Sequence, residues 1–214
     1  MISDQFFNRD PETVAKDLLG KVIRVKHNDL WLSASIIETE AYYLTDKASH
    51  GSLGYTEKRK ALFMPAGTIY MYYARGGDSL NISCKGKGNA LLIKSGLPYT
   101  NGANPEAMLK MMQTLNPKKN KLASREPALL CAGQTLLCKS LGLRVKEWDQ
   151  KNFDSDKFFI EKIGYAPSKI IQTRRLGIPE GRDEHLPYRF QACRDARDRL
   201  LPSLSIIDSQ YATT

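Results

Sequence analysis

Long apolar runs are missing from this chain of 214 residues. No window approaches the roughly 18 consecutive apolar residues that a membrane-spanning helix requires. The segment from Met1 to Gln5 is polar and lacks the basic stretch followed by an apolar run that marks a secretory signal peptide. These absences predict a soluble, intracellular protein without a membrane partner.

Cysteine and histidine are also scarce, with four and three copies respectively. The cysteines form no C-x-x-C pair, and Cys131 and Cys138 lie seven residues apart on a predicted helical segment, a spacing that does not suit zinc ligands. We therefore expect reduced, mostly buried thiols and no metal or cofactor. A Cys–His nucleophilic pair stays open as an alternative, although nothing in the chain marks one.

Acidic residues are outnumbered, since 32 Lys and Arg oppose 23 Asp and Glu, for a net charge of +9. Such a balance favours a polyanionic partner, above all nucleic acid, without proving one. Seven arginines fall between Arg174 and Arg199, interleaved with Tyr188 and Phe190. This composition is typical of a nucleic-acid surface, and equally of an ordinary basic face.

Interspersed strands, hairpin turns and isolated helices predict a mixed α/β (α+β) fold. We expect a single domain, residues 1–202, in which short helices surround a curved, largely antiparallel sheet, followed by a flexible tail at 203–214. Asp10-Pro11 and Asn104-Pro105 combine a capping residue with proline and so predict helix starts. Strands are predicted at 21–26, 30–43, 67–74, 79–84, 90–94, 157–161, 168–173 and 186–192.

The stretch from Ile36 to Tyr43 is the most informative part of the chain. In a regular strand, alternate side chains share one face. That face would carry Ile36, Glu38, Glu40 and Tyr42, and the other would carry Ile37, Thr39 and Ala41. Two carboxylates beside a tyrosine suit general-base chemistry on an aromatic substrate. The alternative is a strand that leaves the core with both glutamates solvated.

An ordered series of short segments runs through most of the chain. It begins with residues 18–22 (Leu-Leu-Gly-Lys-Val), 37–42 (Ile-Glu-Thr-Glu-Ala-Tyr) and 48–50 (Ala-Ser-His). It continues with 64–72, 80–83, 91–94, 131–133, 137–142, 175–178 and 187–190. No single segment is decisive, but the order is specific, and in this order the segments resemble the alkyladenine (3-methyladenine) DNA glycosylase family.

The resemblance implies a monofunctional base-excision-repair enzyme that acts on double-stranded DNA containing damaged purines. Such an enzyme flips an alkylated or deaminated purine out of the duplex and hydrolyses its N-glycosidic bond. It needs no cofactor, and a monomer is sufficient for one lesion. The expected location is the cytoplasm, at the nucleoid in a prokaryote, or the nucleus in a eukaryote.

The resemblance also implies roles for particular residues. Glu40 matches the general base that activates water beside C1′ of the sugar, where positive charge develops. Tyr42, His50 and Tyr72 match the side chains that sandwich the flipped base, and Asn81 matches the residue that screens purine substituents. The backbone carbonyl of Leu176 would offer the water a second acceptor. Without the resemblance, Tyr72 would be assigned to the core.

Two positions depart from the family pattern. Arg75 stands where the family usually has a tyrosine that fills the gap left by the flipped base, and a flat guanidinium suits the same task. Lys94 stands where the family has an arginine that helps to hold the water, so Lys94 is assigned to the catalytic set. A lysine there also opens an alternative, attack on the sugar as an amine nucleophile with formation of a Schiff base.

Basic side chains near the implied site are expected to grip the DNA. We assign this role to Arg59, Arg174 and Arg175 together with Arg75. Two other functions stay open at this point: a protein that senses damaged DNA without cutting it, and a small-molecule enzyme on a similar scaffold. Salt-dependent duplex binding would separate the small-molecule enzyme from the two DNA-binding functions.

Overall fold

Eight antiparallel strands form a curled sheet in the computed structural model, which describes residues 1–74, 76–118, 124–163 and 166–193. The strands are β1 (Val22–His27), β2 (Leu30–Tyr42), β3 (Ile69–Ala74), β4 (Gly77–Ser83), β5 (Ala90–Pro98), β6 (Phe158–Glu161), β7 (Ile170–Thr173) and β8 (Arg189–Ala192). The main order is β3-β4-β5-β2-β1-β6, with β8 on β2 and β7 on β8. The predicted fold class, a single α+β domain, is confirmed.

Short helices cover the sheet. They are α1 (Asp4–Phe7), α2 (Pro11–Leu18), α3 (Pro105–Leu115), α4 (Gln134–Leu141) and α5 (Val145–Trp148), with 3₁₀ helices at Gly51–Leu53, Glu57–Phe63 and Pro127–Leu129. The predicted caps are confirmed, because the Asp10 carboxylate accepts from the Thr13 backbone N–H and the Asn104 side chain accepts from that of Ala107, both at 3.1 Å. Helix α2 also packs on β2, where the Thr39 hydroxyl donates to the Ala15 carbonyl at 2.8 Å.

Strand β2 lies at the centre of the sheet. Its first half pairs with β1, and its second half, around Glu38 to Glu40, lies between β5 and β8. As a result both edges of the second half are paired, and Glu40 is buried. The alternative of a strand leading its glutamates into solvent is therefore wrong.

The β2–β5 ladder is irregular, which corrects the prediction of a regular strand. Pairing runs from Ile36–Gly96 to Glu38–Ser95 and then to Thr39–Ile93. One residue in each strand therefore has no partner in this ladder, Ile37 in β2 and Lys94 in β5. Ile36 therefore packs in the same core cluster as Ala41, not on the face of the glutamates. A bulge of this kind turns the following side chains to the opposite face.

Some expectations fall on residues that the structure does not describe. These are the tail at 203–214 and the assignment of Arg75. Among the described residues, no helix combines the length and the apolarity that crossing a membrane requires. The predicted burial of the cysteines is confirmed, and all four are free thiols.

Gly51 provides a test of the packing around the loop that carries His50. A Cβ at Gly51 would collide with the carbonyl oxygen of Gly88, whereas a Cβ at Gly102 would meet nothing. We expect Gly51→Ala to lower the free energy of unfolding by roughly 1–3 kcal/mol, the usual cost of overpacking. Gly102→Ala, the matched control, should change it by less than about 0.5 kcal/mol. Urea unfolding measures both, and equal midpoints for the two variants would contradict the packing described here.

Candidate active site

A cavity of about 300 Å³ opens beside the end of β2. Its walls come from β2, β3, β4 and β5, from the loop before the first 3₁₀ helix, and from the segment that follows β7. Six residues singled out in the sequence line it: Tyr42, His50, Tyr72, Asn81, Lys94 and Leu176. The fold therefore gathers side chains from positions 42 to 176 around one space large enough for a flat heterocycle.

Glu40 does not itself line this cavity but is buried behind Tyr42 and Lys94, which do. Its Oε2 atom accepts a hydrogen bond of 2.7 Å from the Tyr42 hydroxyl. Its Oε1 atom is 3.4 Å from the Lys94 ammonium and has no hydrogen-bond partner among the described residues. One oxygen is thus held in place, while the other is buried and still able to accept a hydrogen bond.

The proton on the Tyr42 hydroxyl is firmly held. Burial, and next the negative charge of Glu40, raise the pKa of Tyr42 well above its ordinary value. Tyr42 is therefore a hydrogen-bond donor to Glu40 throughout the physiological pH range. It joins two functions in one side chain, because its ring lines the cavity while its hydroxyl orients the carboxylate.

Arg175 supports Tyr42 from within the protein, which corrects its assignment to a DNA-facing surface. The guanidinium forms a bidentate ion pair with Asp46, with Nη2 at 3.0 Å from Oδ1, and Nη1 also donates to the Ala41 carbonyl at 3.1 Å. Both charged side chains are almost completely buried. The same guanidinium lies 4.6 Å from the centre of the Tyr42 ring. Arg175 therefore packs inside the domain and is not available to phosphate.

His50 is held as a neutral ring. Its Nδ1 atom is hydrogen-bonded to the Tyr70 hydroxyl at 2.8 Å, and its ring centre lies 4.5 Å from that of Tyr72. Burial lowers the pKa of His50, and the positive charges of Arg59 and Arg182 lower it further. Because the ordinary value is near 6.5, His50 is uncharged at pH 7.

Asn81 lies in β4, directly opposite Tyr70 of β3. Its amide nitrogen donates to the Tyr70 carbonyl at 3.2 Å, and its side chain forms part of the cavity wall. Gln134, the first residue of α4, lines the wall nearby and donates to the Ser79 hydroxyl at 2.9 Å. Both amides are therefore oriented by the protein itself.

Glu38 has a separate set of partners. Arg189 of β8 donates to Oε1 at 2.6 Å, and Gln191 of the same strand donates to Oε2 at 3.1 Å. This pairing balances the charge of Glu38 and ties β8 to β2. Glu38 is thus occupied in holding the sheet together.

The remaining arginines have different surroundings. Arg59 donates through Nε to the Gly54 carbonyl at 2.8 Å and is partly exposed, while Arg174 is exposed. Arg182 was not singled out in the sequence, yet it lines the cavity and donates to the Lys47 carbonyl. Its place in the arginine-rich stretch was visible in the sequence, but no local signal distinguished it from its neighbours.

Comparison with known proteins gives a consistent result. The model of the methylpurine-DNA glycosylase (MPG) family matches residues 5–196. A protein of Pseudomonas savastanoi pv. phaseolicola is 62% identical over 189 residues, which cover 88% of this chain and 84% of that protein. A protein of Pseudomonas aeruginosa strain UCBPP-PA14 is 61% identical, covering 88% and 79% respectively. One of Francisella tularensis is 31% identical over 82% of this chain and 86% of its own. All three carry the provisional name 3-methyladenine DNA glycosylase.

The burial of the Arg175–Asp46 pair can be tested by unfolding experiments. Arg175→Met should destabilise the fold by about 3–5 kcal/mol, because it leaves the Asp46 charge buried without a partner. Asp46→Asn added to Arg175→Met should recover part of that loss. Arg174→Met removes the exposed neighbouring arginine and should cost less than about 0.5 kcal/mol. Urea unfolding of the parent and the three variants measures these effects, and equal losses for Arg175→Met and Arg174→Met would refute the buried pair.

Proposed function

The chain belongs to the methylpurine-DNA glycosylase family, and from that premise we propose that it flips alkylated or deaminated purines out of duplex DNA and hydrolyses their N-glycosidic bond with a water activated by Glu40. The proposed substrates are purines of the 3-methyladenine, 7-methylguanine, hypoxanthine and ethenoadenine class. The observation that carries the proposal is the Glu40 carboxylate, which is fully buried against the cavity with one oxygen held by Tyr42 and the other free to accept.

The chemistry requires a carboxylate in this position. Breaking the sugar–base bond develops positive charge on the sugar, and an adjacent carboxylate stabilises that charge and takes a proton from the attacking water. In a buried site such an interaction is stronger than in water because the local dielectric constant is low. The ammonium of Lys94, 3.4 Å from Oε1, would help to hold a water that contacts both groups from the side of the cavity.

The cavity suits a flat, electron-poor base. Tyr42, His50 and Tyr72 offer aromatic faces on which an extruded purine would stack. The lowered pKa of His50 keeps that ring neutral, so it does not repel a purine that alkylation has made cationic. A cationic base also leaves without protonation, whereas a neutral base such as hypoxanthine requires a proton. Asn81 would select among purines by its placement in the wall.

The enzyme would grip the duplex with basic side chains around the cavity. Arg59 and Arg174 are candidates, and so is Arg75, which falls outside the described residues. Arg182 joins them because it lines the cavity. Phosphate contacts of this kind make binding strongly salt-dependent. The proposed complex is one monomer on one lesion.

Glu40→Gln tests the proposed general base. We expect release of hypoxanthine or methylated purines from duplex oligonucleotides to fall by about a hundredfold or more, the usual scale for a general base. Glu38→Gln is the matched control, since Glu38 is paired with Arg189 and should not enter the reaction. Single-turnover base release measures both variants, after urea unfolding has shown that they are folded.

Two results would overturn the proposed function. Undiminished release by Glu40→Gln would remove Glu40 from the chemistry. Absence of release from any lesion by the parent protein, with salt-sensitive binding to damaged duplex intact, would instead indicate a protein that senses damage without excision.

Tyr42→Phe separates the two tasks of that side chain. The ring keeps its stacking surface, but Glu40 loses the hydrogen bond that holds its Oε2 atom in place. We expect the rate of base release to fall about tenfold if that bond is worth about 1.4 kcal/mol in the transition state. Lesion binding should change little.

Tyr70→Phe serves as the comparison for this test, since the Tyr70 hydroxyl bonds His50 rather than Glu40. Its rate of base release should fall much less than that of Tyr42→Phe. Single-turnover base release at about pH 7 measures both rates. A parent-like rate in Tyr42→Phe would show that the hydroxyl does not act on the catalytic carboxylate.

A further inference from the structure

Lys94 places a primary amine inside the cavity. It is the only lysine among the described residues that line the cavity. Its side chain is 24% exposed, and it belongs to β5 at the point where the ladder with β2 is irregular. Hydrolysis by Glu40 does not itself require a nucleophilic amine, so the chemical reactivity of Lys94 is left unused by the proposed function.

The contact between Lys94 and Glu40 is loose. Charge-assisted N–H···O bonds are typically about 2.7–2.9 Å long, whereas Lys94 Nζ lies 3.4 Å from Glu40 Oε1. The ammonium is still close enough to exchange a proton with the carboxylate, and it also lines the cavity. An amine beside a carboxylate, facing a sugar, is an arrangement that forms imines with aldehydes.

We propose that Lys94 captures the abasic sugar that remains after base excision, as a covalent imine, and that this imine leads to slow strand cleavage by β-elimination. The proposal rests on the proposed function for the origin of its substrate. It adds a second activity in the same cavity, which acts on the abasic site that base excision leaves.

The step is balanced without any further reactant. Glu40 takes a proton from the Lys94 ammonium, and Nζ attacks the C1′ aldehyde of the ring-opened abasic sugar. The proton returns to the new hydroxyl, which leaves as water, and the product is a protonated C=N bond. Glu40, which is again ionised, takes a C2′ proton, and the C3′–O bond breaks with the phosphate leaving on the downstream strand. Water finally hydrolyses the imine and restores Lys94.

A preformed abasic duplex tests the proposal independently of base excision. The protein is mixed with this duplex and sodium borohydride, which reduces an imine to a stable secondary amine. We expect an adduct with the combined mass of chain and strand, and peptide mapping should locate it on Lys94. This mapping uses the unaltered protein, so it does not depend on whether any variant folds.

Variants provide the second measurement. Lys94→Arg keeps the positive charge beside Glu40 but presents a guanidinium, which is not nucleophilic at neutral pH. We expect it to lower adduct formation and strand cleavage at least about a hundredfold, the low end of the usual effect of a group that takes part in the reaction. Lys87→Arg, at an exposed lysine in the turn before β5, should form the adduct as the parent does. Salt-sensitive binding of the abasic duplex confirms that each variant is folded.

Either of two results would overturn the proposal. One is the absence of a trapped adduct with protein in excess over abasic duplex. The other is an adduct that persists in Lys94→Arg and maps to a different amine, such as the exposed amino terminus at Met1. Either result could accompany normal base release from damaged duplex, in which case the proposed glycosylase function would stand and the imine alone would fail. Conversely, a Lys94 adduct without base release would support the imine alone.

Discussion

The paired irregularities in the β2–β5 ladder determine where the reactive groups of the cavity lie. Before the bulge, even-numbered residues of β2 such as Ala34 and Ile36 face the core, and after it the core receives Ala41. Without this shift Glu40 would point into the apolar core, where an isolated carboxylate costs several kcal/mol. With it, Glu40 remains buried but lies beside Tyr42 and the cavity. The bulge thus makes a buried charge compatible with the fold.

A second buried interaction sets the aromatic part of the site. The guanidinium of Arg175 is bound by Asp46 and by the Ala41 carbonyl, and it lies over the Tyr42 ring. These contacts join the end of β2, the loop that leads to His50, and the segment that forms the far wall of the cavity. The position of Tyr42 therefore depends on a contact between residues 129 positions apart in the chain. Side chains on a loop anchored in this way have a smaller range of positions than those on a solvated loop.

The sequence was a good guide to local structure and a weaker guide to contacts across the chain. Helix starts at Asp10 and Asn104 followed from capping chemistry, and alternation placed Glu40 and Tyr42 on one face. The bulge could not be predicted, because nothing in the sequence around Ile37 indicates an extra residue. Arg175 was assigned to a basic surface because composition carries no information about a partner such as Asp46. Helix capping and strand alternation depend on residues close together in the sequence, whereas burial depends on the whole fold.

The charges around Glu40 also explain why one site would suit two steps. A carboxylate held by the neutral Tyr42 donor keeps one oxygen free, and the cation beside that oxygen, Lys94, is an amine and not a guanidinium. A guanidinium could also orient water, but it is not nucleophilic at neutral pH and could not react with an aldehyde. An amine retains both properties, since it orients water while charged and attacks a carbonyl once Glu40 has taken its proton. Whether the site carries out one reaction or two would then depend on a single side chain, because lysine and arginine carry the same charge and only lysine can react as an amine.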